Sequence, residues 1–302
     1  MRIQSNKDNL TTAPLSGSTK IVGVFGYPIE HSLSPAMHNA AFEALGLNYV
    51  YVPFAVPPDK IGTAIQSLAS LGVVGVNLTI PHKELVLPYI DELTQEAKDV
   101  QAVNTVHVIE GRLLGDNTDG HGFWEPLREQ GFSLAGETVF VLGAGGAARS
   151  VVFRLLREEA KVVLVNRTRE RAERLAQDAM SIGLGEITTL PSDDTAALEK
   201  ALRRSKLFVQ TTRVGMYPHR ELLPEVPLSA LHSDLTVYDL VYNPVQTRLL
   251  AEAEARGCAT VTGVKMLVYQ GAMAFQRWTG VFPPTDVMEQ AVLRGLNASE
   301  KE

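Results

Sequence analysis

Cysteine is almost missing from this chain: Cys258 stands alone among 302 residues, so no internal disulfide can form. A chain of this length can build a core without one, which makes a reducing compartment the economical expectation and Cys258 buried filler rather than a nucleophile. Also lacking is any apolar run near the ~18 residues that a membrane-spanning helix needs. The first twenty residues, MRIQSNKDNLTTAPLSGSTK, have no hydrophobic centre of the kind a signal peptide carries, and they are rich in Ser, Thr and Asn. They read as a mobile tail, and the protein as cytoplasmic. Nor is there an excess of positive charge, since 28 Lys and Arg face 34 Asp and Glu for a formal charge of -6. That balance gives no electrostatic reason to expect nucleic acid or an anionic membrane as partner. No internal repeat is visible, and nothing calls for a metal. What remains is an ordinary soluble composition, 45% hydrophobic and 21% charged. It suits small-molecule chemistry in a monomer or homodimer, and the length suggests about two domains.

Apolar runs of strand length alternate with helix-length segments, the pattern of an α/β protein built on mainly parallel sheets. In the first half IVGVFG (Ile21 to Gly26) leads through a proline-containing loop to a helix from about Pro35. NYVYVPFAV follows, then a helix from Pro58 to about Leu71, then GVNLTI. Another helix follows Lys83, and NTVHVIEGRLLGDN reads as a hairpin turning at Glu110-Gly111. In the second half ETVFVLG, a helix from Ala147, KVVLVN, a helix around Arg169 to Met180, ITTL, KLFVQTT and TVYDLVY make a regular doubly wound series. The seam between the halves is expected near Asp119 to Gly122. After Gly263 the pattern turns helical with no strand left to pair, so this closing segment is expected to fold back on the first half.

The most specific generic motif is Gly143-Ala144-Gly145-Gly146-Ala147-Ala148, set between the strand ETVFVLG and the helix AARSVVFRLLREE. It matches G-x-G-x-x-A, whose glycines let the backbone approach a pyrophosphate that sits at the positive end of the helix. Alone, such a string can be a mere tight turn; in a strand-turn-helix context it reads as a dinucleotide site. The next strand, KVVLVN, ends in Asn166-Arg167-Thr168, where an NAD site would place an acidic residue for the ribose hydroxyls. There is no carboxylate to repel a 2′-phosphate, and the Arg167 guanidinium and Thr168 hydroxyl can grip one, which favours NADP. The plain alternative is that Arg167, Arg169 and Arg171 decorate the first turn of a helix. Arginines are unfavourable there unless an anion offsets the helix dipole.

A dinucleotide domain implies redox chemistry without naming its object, and the remaining motifs are more distinctive. GYPIEHSLSPAMHN (Gly26 to Asn39), NLTIPHK (Asn77 to Lys83), AVNT (Ala102 to Thr105), GDNTDGHGF (Gly115 to Phe123), DLVYNPVQTRLL (Asp239 to Leu250) and MLVYQGA (Met266 to Ala272) resemble motifs of the shikimate dehydrogenase family. They stand in the family's order over nearly everything from Ile21 to about Pro284. The resemblance implies reversible NADPH-dependent reduction of 3-dehydroshikimate to shikimate, a step of chorismate and aromatic amino acid biosynthesis. It further implies that Ser32 and Ser34 bind the substrate carboxylate, that Thr79, Asn104 and Gln270 bind its hydroxyls, and that Tyr242 lies near it. Lys83 and Asp119 match the catalytic pair. Gly143, Ala144, Gly145, Gly146, Ala147, Asn166, Arg167, Thr168, Arg171, Gly263 and Met266 fall to the NADP site. The organisation implied is a tail over 1–20, a substrate-binding catalytic domain over 21–119, a Rossmann-like domain over 120–262, and helices over 263–302 that return to the first domain.

Each of these residues also has a plainer reading. Ser34 before Pro35 can cap a helix, Asn104 can serve a turn, Asp119 can cap a helix starting at Gly120, and a loop lysine is commonly a solvated charge. Caps and turns do not explain why strands, loops and a distant C-terminal helix all supply polar groups suited to one polyol acid. His31 and His38 read as structural. Chemically, a lysine beside an aspartate can donate a proton to a carbonyl oxygen while the carboxylate holds and balances the ammonium. One departure from the family stands at Gly263-Val264-Lys265-Met266-Leu267, where Lys265 replaces a glycine. It is expected to face solvent, with consequences for affinity and rate rather than for the reaction class. Two other functions fit the same motifs: a quinate or mixed quinate/shikimate dehydrogenase, and a non-catalytic NADP-binding sensor. The presence of both Lys83 and Asp119 speaks against the sensor, which needs no acid-base pair.

Overall fold

In the computed structural model, which describes residues 15–183 and 185–299, the alternation resolves into two six-stranded sheets. Most of the expected tail, residues 1–14, lies outside the described residues, and Lys20 already belongs to the first strand.

The first sheet contains β1 (Lys20–Gly26), β2 (Tyr49–Ala55), β3 (Val73–Leu78), β4 (Glu92–Leu93), β5 (Thr105–Ile109) and β6 (Arg112–Asp116), in the order β2-β1-β3-β5-β6-β4. β1 runs parallel to β2 and β3, while β5 is antiparallel to β3 and β6. β1 reads as a nearly unbroken apolar run because it is a central strand covered on both faces; Val22 and Val24 are buried. Its helices are α1 (Ser34–Ala44), α2 (Ile61–Gln66), α3 (His82–Leu85) and α4 (Gln95–Val100). α2 is shorter than the run from Pro58 to Leu71 suggests. Pro58–Lys60 is a 3-10 turn, and beyond Gln66 the Ser67 hydroxyl donates back to the Thr63 carbonyl at 2.8 Å while the chain continues in turns. A serine competing for backbone acceptors in this way weakens a helix end.

The second sheet contains β7 (Thr138–Leu142), β8 (Lys161–Val165), β9 (Glu186–Leu190), β10 (Leu207–Gln210), β11 (Thr236–Asp239) and β12 (Ala259–Thr262), in the order β12-β11-β10-β7-β8-β9. Every pairing is parallel. The strand order reverses at β7, so the crevice beyond its carboxyl end is the place where such sheets bind ligands. α5 (Asp119–Glu129), α6 (Gly146–Arg157), α7 (Arg169–Ser181), α8 (Thr195–Leu202) and α9 (Arg248–Glu254) accompany these strands.

α10 (Gly263–Thr279) and α11 (Thr285–Ser299) close the fold. α10 is apolar on more than one face because it serves two cores. Met266 joins Phe123, Val141 and Tyr238 beneath the second sheet, whereas Val264, Val268, Ala272 and Phe275 join Val22, Met37 and Phe42 beneath the first. Each large side chain buried this way contributes roughly 1.5–3 kcal/mol. α11 adds Met288 and Val292 to the first core, so the closing helices do return to the first half.

Candidate active site

The segment NLTIPHK leaves the first sheet where its hydrogen bonding runs out. Thr79 still donates its N–H to the Phe25 carbonyl at 3.0 Å, but Pro81 has no N–H to offer and the chain turns into α3. Buried His82 anchors that short helix, its Nε2 2.8 Å from the Val56 carbonyl. The Lys83 carbonyl accepts from Val103 N–H at 2.8 Å. With its backbone held on both sides, Lys83 extends to Asp119 and donates from Nζ to Oδ2 at 2.6 Å. Asp119, only 5% exposed, is the first residue of α5 and does not cap it. Thr118 holds the N-cap position, without a side-chain cap bond. Instead, Oδ1 of Asp119 accepts from Asn104 Nδ2 at 2.7 Å, so both carboxylate oxygens are engaged and the ammonium is fixed from behind.

Asn104 is the hub. Its Nδ2 also reaches Thr118 Oγ1 at 2.9 Å and Gln270 Oε1 at 3.4 Å, and its Oδ1 accepts from Thr118 N–H at 2.8 Å. Its carbonyl accepts from Asn77 Nδ2 at 3.1 Å. The buried Tyr51 hydroxyl donates to Asn77 Oδ1 at 2.8 Å and lies beside Ser34. Burial holds the Tyr51 phenol far above its usual range, so it stays a neutral donor. Ser34 does not cap α1, whose N-cap is Leu33, while Ser32 Oγ accepts from Ser34 N–H at 3.3 Å. One connected polar set thus runs from the serines through Tyr51, Asn77 and Asn104 to Asp119 and Lys83, with Gln270 joining from α10. Thr79 stands at its edge, its carbonyl accepting from His82 N–H at 2.8 Å. Tyr242 lies apart from these bonds. It packs against the core that includes Met37 and Val268, and burial pushes its phenol up. Tyr51, Asn77 and Thr118 carry this set although the motifs had assigned them no role. The available signal was a polar residue inside an otherwise apolar strand, as Asn77 is in VVGVNL.

The nucleotide side is built at the carboxyl ends of β7 and β8. Gly143 has φ +114°, and a Cβ there would meet Thr211 Oγ1 at 2.2 Å, so only glycine fits the turn. At Gly145 and Gly146 an added Cβ would meet nothing within 4 Å, which leaves open space in front of α6. The first turn of α6 has no acidic residue and no side-chain cap, and its free N–H groups suit a phosphate. Ala144 N–H donates to Asn166 Oδ1 at 3.2 Å and Asn166 Nδ2 to the Thr168 carbonyl at 2.8 Å, so Asn166 braces the two loops. Arg167, Thr168 and Arg171 are exposed, and neither arginine has a side-chain hydrogen bond or ion pair among the described residues. Arg169, in contrast, is bound to Glu173 at 2.7 Å. Ala147 opens α6 behind Gly146, and Gly263 lies tight against the Leu240 carbonyl. These residues fit a phosphorylated dinucleotide. Met266 is 9% exposed and mostly core. Lys265 has a partly exposed side chain, and its Nζ is in addition paired with Glu289 Oε2 of α11 at 2.6 Å.

Over residues 24–106 the chain matches the shikimate dehydrogenase substrate binding domain, over 127–209 the shikimate/quinate 5-dehydrogenase family, and over 263–293 the shikimate 5′-dehydrogenase C-terminal domain. It is 50% identical over 292 residues to the shikimate dehydrogenase (NADP(+)) of Methanopyrus kandleri, covering 93% of this chain and 98% of that one. A crystal structure of a shikimate dehydrogenase in complex with NADP+ is similar with a TM-score of 0.88 at 38% identity, over 95% of this chain and 99% of that one. The shikimate 5-dehydrogenase from Listeria monocytogenes, in complex with shikimate and NAD, gives a TM-score of 0.88 at 35% identity over 93% and 99%.

Proposed function

Because this chain belongs to the shikimate dehydrogenase family, we propose that it interconverts 3-dehydroshikimate and shikimate with NADPH and NADP+, using Lys83 as the proton donor and acceptor and Asp119 as its partner. The observation that carries the mechanism is the 2.6 Å contact between these two side chains, which joins the loop leaving the first sheet to the first helix of the second half. When bound, NADPH supplies the hydride. As the electron pair reaches the substrate carbonyl carbon, the C=O π bond opens and the oxygen takes a proton from the Lys83 ammonium, which regains one from water. Asp119 keeps the ammonium aimed, because its second oxygen is held by Asn104. Ser32 and Ser34 receive the carboxylate, and Thr79, Asn104 and Gln270 receive the ring hydroxyls, with Tyr242 closing the pocket. Residues 21–119 form the substrate domain in this reading and 120–262 the nucleotide domain, with 263–302 packed back on the first.

Lys83→Ala should lower kcat by roughly a hundredfold to ten-thousandfold, the range of a positioned acid-base group, with shikimate binding changed much less. Asp119→Asn should also slow turnover severely, and the double variant should fall far short of the product of the two losses because the pair acts as a unit. Initial rates with shikimate and quinate, each with NADP and NAD, complete the test. Turnover of Lys83→Ala near that of the unmodified enzyme would reduce the contact to a structural ion pair, and faster turnover of quinate would move the substrate assignment.

A further inference from the structure

The second sheet holds a carboxylate that this chemistry does not use. Asp239 is the last residue of β11 and 0% exposed. Its Oδ1 accepts from Val241 N–H at 3.0 Å and its Oδ2 from the Thr247 hydroxyl at 2.7 Å. Thr247 in turn caps α9 by accepting Leu250 N–H at 3.3 Å. One carboxylate therefore ties together both ends of the segment 240–246, which carries Tyr242. That segment also bears on its surroundings. The Leu240 and Val241 carbonyls lie 2.3 and 2.6 Å from where a Cβ on Gly263 would stand, and the Asn243 carbonyl accepts from Tyr217 N–H at 2.9 Å.

The neighbouring strand shows the same device without charge. Gln210 of β10, in register with Asp239 and 0% exposed, donates to the Thr212 and Val214 carbonyls at 3.2 and 3.1 Å and accepts from Thr212 N–H at 2.6 Å. On the other side, Asp239 is in register with Thr262 of β12. The groups facing Asp239 from β10, β12 and α9 are thus Gln210, Thr262 and Thr247, none of them charged. The amide of Gln210 suits its partners, two carbonyls and one N–H, whereas both partners of Asp239 are donors, which calls for two acceptor oxygens.

We propose that Asp239 is a positioning residue whose ionised carboxylate holds the segment 240–246 so that Tyr242 is presented to the substrate. This rests on the reading of Tyr242 as a substrate contact. The ionised form can accept from both Val241 N–H and the Thr247 hydroxyl, whereas a protonated carboxyl reverses the second bond: its O–H donates to a Thr247 oxygen that already accepts from Leu250 N–H, and the buried Thr247 proton loses its acceptor, which weakens that end of the segment. Burial pushes the Asp239 carboxyl up to about 6, against the pull of its two hydrogen bonds. The folded value lies above the ordinary one. The stability contributed by this group is therefore complete at acid pH and is lost as the pH rises through about 6, where the fold must carry a buried charge. The same rise in pH completes the hold on the segment, so stability and positioning run in opposite directions.

The experiment follows shikimate KM and kcat, melting temperature, and amide hydrogen exchange over 240–247 between about pH 5 and pH 8, in wild type, Asp239→Asn, Thr247→Val, Thr247→Ser and Tyr242→Phe. Asp239→Asn mimics the protonated carboxyl. It should raise shikimate KM by roughly tenfold to a hundredfold, the weight of a hydrogen bond to a charged group, with kcat changed far less, faster exchange in the segment, and no loss of melting temperature at pH 8. Thr247→Val should do the same to KM and exchange, and Thr247→Ser should restore both. In wild type KM should climb as the pH falls through about 6, and in Asp239→Asn that climb should vanish. A lowered melting temperature with unchanged KM would make Asp239 merely structural and overturn the proposal, as would exchange in 240–247 that ignores the substitution. An unchanged KM in Tyr242→Phe would instead overturn the substrate reading of that tyrosine; the exchange data, which report the hold of Asp239 directly, tell the two failures apart.

Discussion

Arg167 and Arg169 are two residues apart beyond β8, yet they differ in what they have left to offer. Arg169 spends its guanidinium on Glu173 one helical turn along, a solvent-screened surface pair of little weight for stability. Arg167 is exposed and unpaired among the described residues, beside a helix start that lacks any acid to repel a phosphate except Glu170. Arg167→Ala should therefore weaken NADP binding by about tenfold to a hundredfold, or ~1.5–3 kcal/mol for a charge-assisted bond, while leaving NAD binding nearly unchanged. Fluorescence titration of the free enzyme with both cofactors checks this without turnover, and equal losses would refute it. Lys265 illustrates the reverse situation. A cation in the first turn of α10 opposes the helix dipole, and Glu289 reaches over from α11 to offset it. The side chain is thereby occupied and has less to give to a cofactor phosphate.

At the scale of elements, the contact that most directly couples the halves is that of α5 with α10. Gly122 lies against Gln270 so closely that an added Cβ would stand 2.6 Å from the Gln270 nitrogen and Cβ and 2.9 Å from its Cα. Two of these neighbours are backbone and cannot swing aside. Gly122→Ala should thus push the helices apart, costing ~1–3 kcal/mol as overpacking does. It should also raise shikimate KM, because Gln270 is carried on the displaced helix and its Oε1 meets the Asn104 hub. Thermal melts and steady-state kinetics on the same variant decide it: lost stability with unchanged KM would mean that α10 moves without its glutamine leaving the site.

Over the whole molecule, α6 is tied to α4 by the ion pairs of Arg157 and to both α4 and α7 by Arg149. Arg157 bonds both Glu96 and Asp99, and Arg149 donates to the Val100 carbonyl and pairs with Asp178 at 2.5 Å. Burial raises the Glu96 carboxyl above the usual range although Arg157 pulls it down. Its folded value lies above its unfolded one, so the stability it contributes is lost as the pH rises through the folded value, beyond which its charge is a cost. Two substitutions should then behave unequally. Arg157→Ala strands two facing carboxylates and should cost ~3 kcal/mol, or about 5–10 °C in Tm. Glu96→Gln removes only the costly charge and should leave the Tm close to that of wild type. Equal melting temperatures for the two variants would mean that the pairs do not hold the halves together.

Periodicity and turn chemistry are local properties, and what depends on them could be read along the chain. The strands, the glycine turn before α6, the Glu110-Gly111 hairpin and the doubly wound order of the second half follow from which residues are apolar and which must take unusual backbone angles. The motif resemblance added the polar residues NLTIPHK and GDNTDGHGF, but as points on a line. That Lys83 and Asp119 meet at 2.6 Å, that neither Ser34 nor Asp119 caps its helix, and that Lys265 finds Glu289 depended on which helices pack against which sheet. So did the roles of Asn77, Thr118 and Asp239. A buried polar group must find a partner, and sequence shows the need without showing the partner. α10 contributed to that outcome because its two apolar faces serve both cores and carry Gln270 to the Asn104 hub.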